Sequence, residues 1–108
     1  MFFTASEGMA ERELAPGVRT RLLWGERIMM SFVDFQPGAV VPSHQHPHEQ
    51  MGMVLKGEFE LVIGDEARLI KEGDAFWMPS NVEHSGRAFS QPALVLDVFS
   101  PPREDYKQ

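Results

Sequence analysis

The chain has 108 residues, 43% hydrophobic and 24% charged, with a net charge of −6 and no cysteine. That length points to one domain, and the missing cysteine excludes disulfides, thiolate zinc sites and a cysteine nucleophile. No apolar run is long enough to cross a membrane, no basic stripe is present for nucleic acid, and the first residues lack a basic secretory leader, so a cytoplasmic domain is expected.

The local signals are β almost throughout. Residues 5–14 are the one stretch that could form a short helix. Residues 18–35 carry apolar residues around a Gly25-Glu26 break, which predicts a hairpin, and Gln36-Pro37-Gly38 is a turn. A short strand over 51–55 ends at Lys56-Gly57. Residues 58–63 alternate polar and apolar at their start, then meet the tight-turn signal Gly64-Asp65-Glu66, and 67–70 pair back. Residues 71–74 turn again, and the strand over 75–78 is stopped by Pro79. A last strand covers 93–99. Turns recurring about every ten residues favour a sandwich or barrel. Eight to eleven strands in a closed or nearly closed barrel suit the length, and such a barrel can hold one small ligand in its mouth.

All four histidines of the chain are His44, His46, His48 and His84. Imidazole is the commonest metal ligand near neutral pH. Residues two apart on a strand share a face, so His44 and His46 can aim nitrogens at one point, and Gln50 and His84 can close the site. Pro47 disturbs the alternation at His48, which is expected beside the site or at the surface. Imidazole with one oxygen suits one divalent ion of zinc, nickel, iron, copper or manganese. With four protein ligands, a catalytic ion needs a further open position.

Gly38, then five residues, His44-Gln45-His46, three residues, Gln50, six residues and Gly57 resemble the first motif of the cupin family. Gly73, five residues, Pro79-Ser80-Asn81, two residues and His84 resemble the second. The resemblance implies an all-β, single-domain cupin, a double-stranded β-helix or jelly-roll barrel, over residues 1–108. Three positions depart from the pattern. Gln50 replaces the usual glutamate, Asn81 the usual glycine, and Ala88 the asparagine that often ends motif two. Asparagine tolerates the left-handed conformation that glycine supplies. Glutamine offers a neutral carbonyl oxygen, which leaves the ion its full charge and makes it a stronger Lewis acid. Glu49, one residue off the spacing, should face the other way.

A narrower resemblance lies in His46-Pro47-His48-Glu49-Gln50 and in the tail from Leu96 to Tyr106, which look like the KdgF-type cupins of pectin and alginate breakdown. That resemblance implies that Asp97, Phe99 and Arg103 join the metal site, and that 4,5-unsaturated monouronates are converted to linear keto forms. The residues fit such roles. Val95, Asp97 and Phe99 share one face of the last strand. If that face is the interior, burial raises the Asp97 pKa and a metal lowers it, which makes Asp97 a candidate general acid or base. A structural Asp bonding a turn is the other use. Arg103 follows two prolines, and its planar fork suits a substrate carboxylate; an ion pair with Glu104 or Asp105 is the alternative. Phe99, Met53 and Trp77 are expected as pocket walls, with Met51 and Phe59 as further candidates.

The expected activity is therefore a metal-dependent lyase or isomerase acting on a small anionic sugar. A metal-dependent dioxygenase and a non-catalytic sugar-binding protein are the alternatives. A chain this short buries only part of its surface. That favours a homodimer, with Trp24, Met29 and Met30 of the first hairpin as candidate interface.

Overall fold

Val18, Thr20 and Leu22 are buried while Arg19 is exposed between them, and Met29, Ser31, Val33 and Phe35 repeat the alternation on the next strand. Side chains with a period of two, one set apolar, specify a sheet with one face on a core. The computed structural model describes residues 2–108. It contains β1 (Ala10–Ala15), β2 (Val18–Trp24), β3 (Met29–Phe35), β4 (Val40–His44) and β5 (Glu49–Lys56). These are followed by β6 (Glu58–Ile63), β7 (Glu66–Lys71), β8 (Ala75–Met78), β9 (His84–Ala88) and β10 (Ala93–Ser100). Two antiparallel sheets result, ordered β1-β2-β3-β10-β5-β8 and β4-β9-β6-β7. The interleaved order makes a jelly-roll sandwich.

The core lies between the sheets. Val18, Val33, Phe35, Val54 and Val95 of the larger sheet meet Phe59, Leu61 and Ala88 of the smaller one. Phe35 and Phe59 touch across the gap with ring centroids 5.4 Å apart. A second cluster, Leu22, Met29 and Phe99 with Tyr106 against it, sits beside the site. Gly57 has φ 73°, and a side chain there would strike the Pro92 carbonyl, so this motif glycine is required by both torsion and space. Asn81 has φ 65° and takes up the left-handed position as expected.

The expected helix over 5–14 is not formed. Only a single 3-10 turn, Ser6–Gly8, precedes β1, whose residues pair with β2 from Ala10↔Leu22 to Ala15↔Val18. Glu, Arg, Leu and Ala favour helices in isolation. Here pairing to the sheet edge wins, because alternation turns Arg12 and Leu14 inward and leaves Glu11 and Glu13 exposed. Met29, expected at an interface, is fully buried in the second core cluster. Among the described residues, no helix is long and apolar enough to cross a membrane.

Candidate metal centre and active site

His44 ends β4 and His84 begins β9, and the two are register partners. His46 lies in the following loop, where its carbonyl accepts the Asn81 N–H at 2.8 Å. The two motif turns therefore hold each other. Gln50 enters from β5, opposite Phe99 of β10. The metal-binding atoms of His44, His46 and His84 all lie within 4.8 Å of one another. His46, Gln50 and His84 are buried polar residues, and the other two among the described residues, Thr20 and Ser31, hydrogen-bond each other.

The hydrogen bonds fix which nitrogen faces the centre. His44 Nδ1 donates to the Pro42 carbonyl at 2.9 Å, His84 Nδ1 to the Val82 carbonyl at 2.9 Å, and His46 Nδ1 to the His48 carbonyl at 3.1 Å. A carbonyl only accepts, so each Nδ1 carries the hydrogen and each Nε2 presents a lone pair. Among the described residues, none partners the buried His84 Nε2. His46 Nε2 stands 3.1 Å from Gln50 Oε1, two atoms that both offer lone pairs. Burial, then the charge of Arg103, then His84 lower the His46 pKa to about 4, and burial also lowers that of His84. Both rings are therefore neutral near pH 7. Three imidazole Nε2 atoms and an amide oxygen converging on one point suit a cation, so the donor set fits a divalent metal. His48 is half-buried; its carbonyl orients His46, with ring centroids 5.3 Å apart.

Asp97 stands across β10 from Ser31 on one side and Gly52 on the other, and it lines the cavity below the histidines. A side chain at Gly52 would overlap the Phe76 ring and the Leu96 carbonyl, so the glycine makes room for that ring, which lines the cavity, to pack against the strand. Asp97 retains some contact with the cavity yet lies deep between the sheets. Burial raises its pKa to about 7, against a hydrogen bond from Gln50 and the charge of Arg103. The cavity measures about 50 Å³, room for a few waters. Its floor is apolar, with Val33, Phe35, Phe59 and Val95, and its polar groups gather at the histidine end.

Arg103 reaches the same cavity from the segment after β10. Its guanidinium lies 4.0 Å from the Tyr106 ring centroid and 5.3 Å from that of Phe99, and its side chain is only 11% exposed. Cation–π contact and ion pairing offset the cost of covering a charge. Nε and Nη2 donate to the two Asp105 carboxylate oxygens at 3.3 and 3.0 Å. Arg103 thus forms the ion pair foreseen with Asp105 and also lines the cavity.

His44, His46, Gln50, His84, Asp97, Phe99 and Arg103 are thus brought to one end of the barrel, and Phe59 forms part of the floor. Met53 and Trp77 are not. They lie on the outer face of the larger sheet, 40% and 54% exposed. The reason is register: Gln50 pairs with Met78 inward, so Met51↔Trp77, one step along, and Met53↔Ala75 point outward. Glu49 also faces out and accepts the Trp77 indole N–H at 2.8 Å. Tyr106 lines the cavity and was not singled out from the sequence. Its only signals there were that it is the sole tyrosine and lies three residues after Arg103.

The cupin-domain family model matches residues 31–99, from β3 to the end of the site strand. This chain belongs to the cupin family. Its curated relatives include the pectin degradation protein KdgF of Dickeya dadantii, 35% identical over 96 residues that cover 87% of each chain. Among solved structures, KdgF from a Halomonas species superposes with a TM-score of 0.89 at 33% identity, covering 98% of both chains. An RmlC-like cupin from Shewanella frigidimarina superposes with a TM-score of 0.90 at 27% identity, covering 98% of this cupin and 96% of that chain.

Proposed function

We propose that this cupin is a metal-dependent, non-redox isomerase or lyase that converts 4,5-unsaturated uronates to linear keto acids. The observation that carries the reading is the meeting of three imidazoles, Gln50, a proton-holding Asp97 and Arg103 at one end of the barrel, in a chain similar to KdgF over most of its length. His44, His46 and His84 would hold the ion through Nε2, and Gln50 through Oε1. When bound, a divalent ion there supplies a Lewis acid for a substrate oxygen, without needing a redox change.

The chain's own groups supply the rest. Arg103 attracts the substrate carboxylate, the only permanent charge on such a sugar. Asp97, with its pKa near 7, can both accept and return a proton near neutrality. Ring opening removes the proton of the anomeric hydroxyl as the bond from that carbon to the ring oxygen breaks. Ketonisation then moves the enol proton to the neighbouring carbon. The product has the same atoms as the substrate, so one carboxyl that takes and gives a proton suffices. Phe99 and the apolar floor keep bulk water from Asp97 and maintain its raised pKa. The enclosed space admits the reacting, carboxylate-bearing end rather than the whole sugar. Anaerobic turnover of a 4,5-unsaturated galacturonate by protein loaded in turn with zinc, nickel, iron or manganese tests the reading. Failure with every metal would refute it.

We also propose a homodimer, through the outer face of the larger sheet rather than the first hairpin alone. Leu23, Met30, Val98, Met51 and Trp77 form one register row across five strands, with Phe32, Leu96, Met53 and Ala75 beside it. A face of six strands about seven residues long measures roughly 600 Å² before side-chain relief, close to the ~800 Å² per partner of a standard interface. A second copy presents the same apolar rows, whereas the rim beyond them, Glu11↔Arg21 and Glu13↔Arg19, is charged.

A further inference from the structure

We infer that the Tyr106 hydroxyl is a second donor to the bound carboxylate, and that Asp105 and Arg12 are positioning residues holding Tyr106 and Arg103 at the cavity. The inference rests on the carboxylate reading of Arg103 and extends it to groups which that reading leaves idle.

Arg103 alone is a poor receptor as it stands. Its Nε and Nη2 are engaged by Asp105 along one edge of the guanidinium. Its Nη1 donates to the Tyr106 hydroxyl oxygen at 3.0 Å. A carboxylate usually takes two parallel N–H bonds from one arginine edge, and here one edge is occupied and the other is shared with the phenol. The phenol restores the lost donor. Guanidinium has no acceptor, so in this contact Tyr106 accepts, and its own hydrogen remains free. Among the described residues, no acceptor takes that hydrogen, and the residue lines the cavity. A remaining Arg103 N–H and the phenol O–H thus form a mixed pair of donors for two carboxylate oxygens.

The pair is held from several sides. The Tyr106 ring meets Phe99 edge-on at 5.7 Å, with the Arg103 guanidinium over its face. Arg12 of β1 also lies over that ring, 5.7 Å away, and its Nη1 donates to the carbonyls of Asp105 and Gln108. Lys107 pairs with Glu104 at 3.1 Å and lies 5.6 Å from the Trp24 ring. The turn Glu104–Lys107 is too short to be stable alone. These contacts fix where it sits. Burial pushes the Tyr106 pKa up to about 12, so the hydroxyl stays a donor in the working pH range.

The test is calorimetric titration of the nickel-loaded protein with D-galacturonate, a saturated uronate that cannot react, and with neutral D-galactose. Tyr106→Phe keeps the ring and removes the hydroxyl. It should weaken galacturonate binding about 10-fold, as expected for one hydrogen bond to a charged group, and leave metal content, melting temperature and galactose binding unchanged. Asp105→Asn should also weaken galacturonate binding, and Asp105→Glu should restore most of it, which a purely structural loss would not do. Equal binding by Tyr106→Phe and wild type overturns the inference, as does a wild type that does not prefer galacturonate to galactose. If the binding pattern appears but the unsaturated uronate is not turned over, the isomerase reading falls and this one stands. If turnover occurs with an unchanged KM in Tyr106→Phe, the reverse holds.

Discussion

The two faces of the β5–β10 pair differ by a single residue step and reverse the usual distribution of polarity. Inward stand Gln50 and Asp97 with Phe99; outward stand Met51 and Met53 with Leu96 and Val98. Gln50 is 5% exposed, whereas Met51 is 55% exposed. Scattered exposed apolar residues are ordinary, but a buried polar cluster or a contiguous apolar surface calls for a partner. Inside, the partner proposed above is a cation and a small acid; outside, it is a second copy of the chain. On that proposal the same strands serve chemistry on one face and assembly on the other, and substitutions on each should separate the two.

The largest effects belong to the inner face. His84→Ala removes the buried, unpartnered Nε2, and it should abolish stoichiometric metal binding, read by elemental analysis after gel filtration, together with turnover. Asp97→Asn should keep the metal and lower kcat by about 10²–10⁴-fold, the usual contribution of a positioned acid–base group. Loss of metal in Asp97→Asn would instead assign that carboxyl to holding Gln50.

On the outer face, Met51→Lys combined with Trp77→Lys should convert a dimer to a monomer by light scattering while turnover per chain stays within a few-fold. A protein that is monomeric before substitution would remove the assembly proposal and leave the site untouched.

A smaller effect tests the buried titrating groups in metal-free protein. Asp97 keeps its proton up to about pH 7 when folded but loses it near 3.8 when unfolded. Folding then takes up a proton in that range, and this group's contribution to stability falls as pH rises from about 4 to 7. His46 has the opposite sign: its folded pKa of about 4 lies below the ordinary 6.5, so its contribution rises with pH across that window and is lost as pH falls through it. The two partly cancel. Asp97→Asn should unmask the histidine, giving a melting temperature that climbs more steeply from pH 4 to 6.5 than in wild type. Parallel profiles would contradict the buried placement of Asp97.

The metal end was largely legible in the sequence, because motif spacing brings His44, His46, Gln50 and His84 together without reference to distant contacts, although strand alternation does not reach His46, which lies in the loop after β4. The same alternation gave Asp97 and Phe99 a common face. Counted from Gln50, it also puts Met51 and Met53 outward. Taking large apolar side chains as pocket walls overrode that count and misplaced Met53 and Trp77. The segment over 5–14 was misread because its helix-forming residues pair with a strand edge that local propensity does not register. Tyr106 could not be placed, since its position depends on how the chain turns after Pro102 and on Arg12, 94 residues earlier.

The most direct test of the central claim is anaerobic turnover of a 4,5-unsaturated galacturonate, followed as loss of its ultraviolet absorbance, by metal-loaded wild type and Asp97→Asn against the uncatalysed rate. The account predicts faster loss without oxygen in wild type and little above background in the variant. No acceleration with zinc, nickel, iron or manganese, or equal rates in the two proteins, would contradict it.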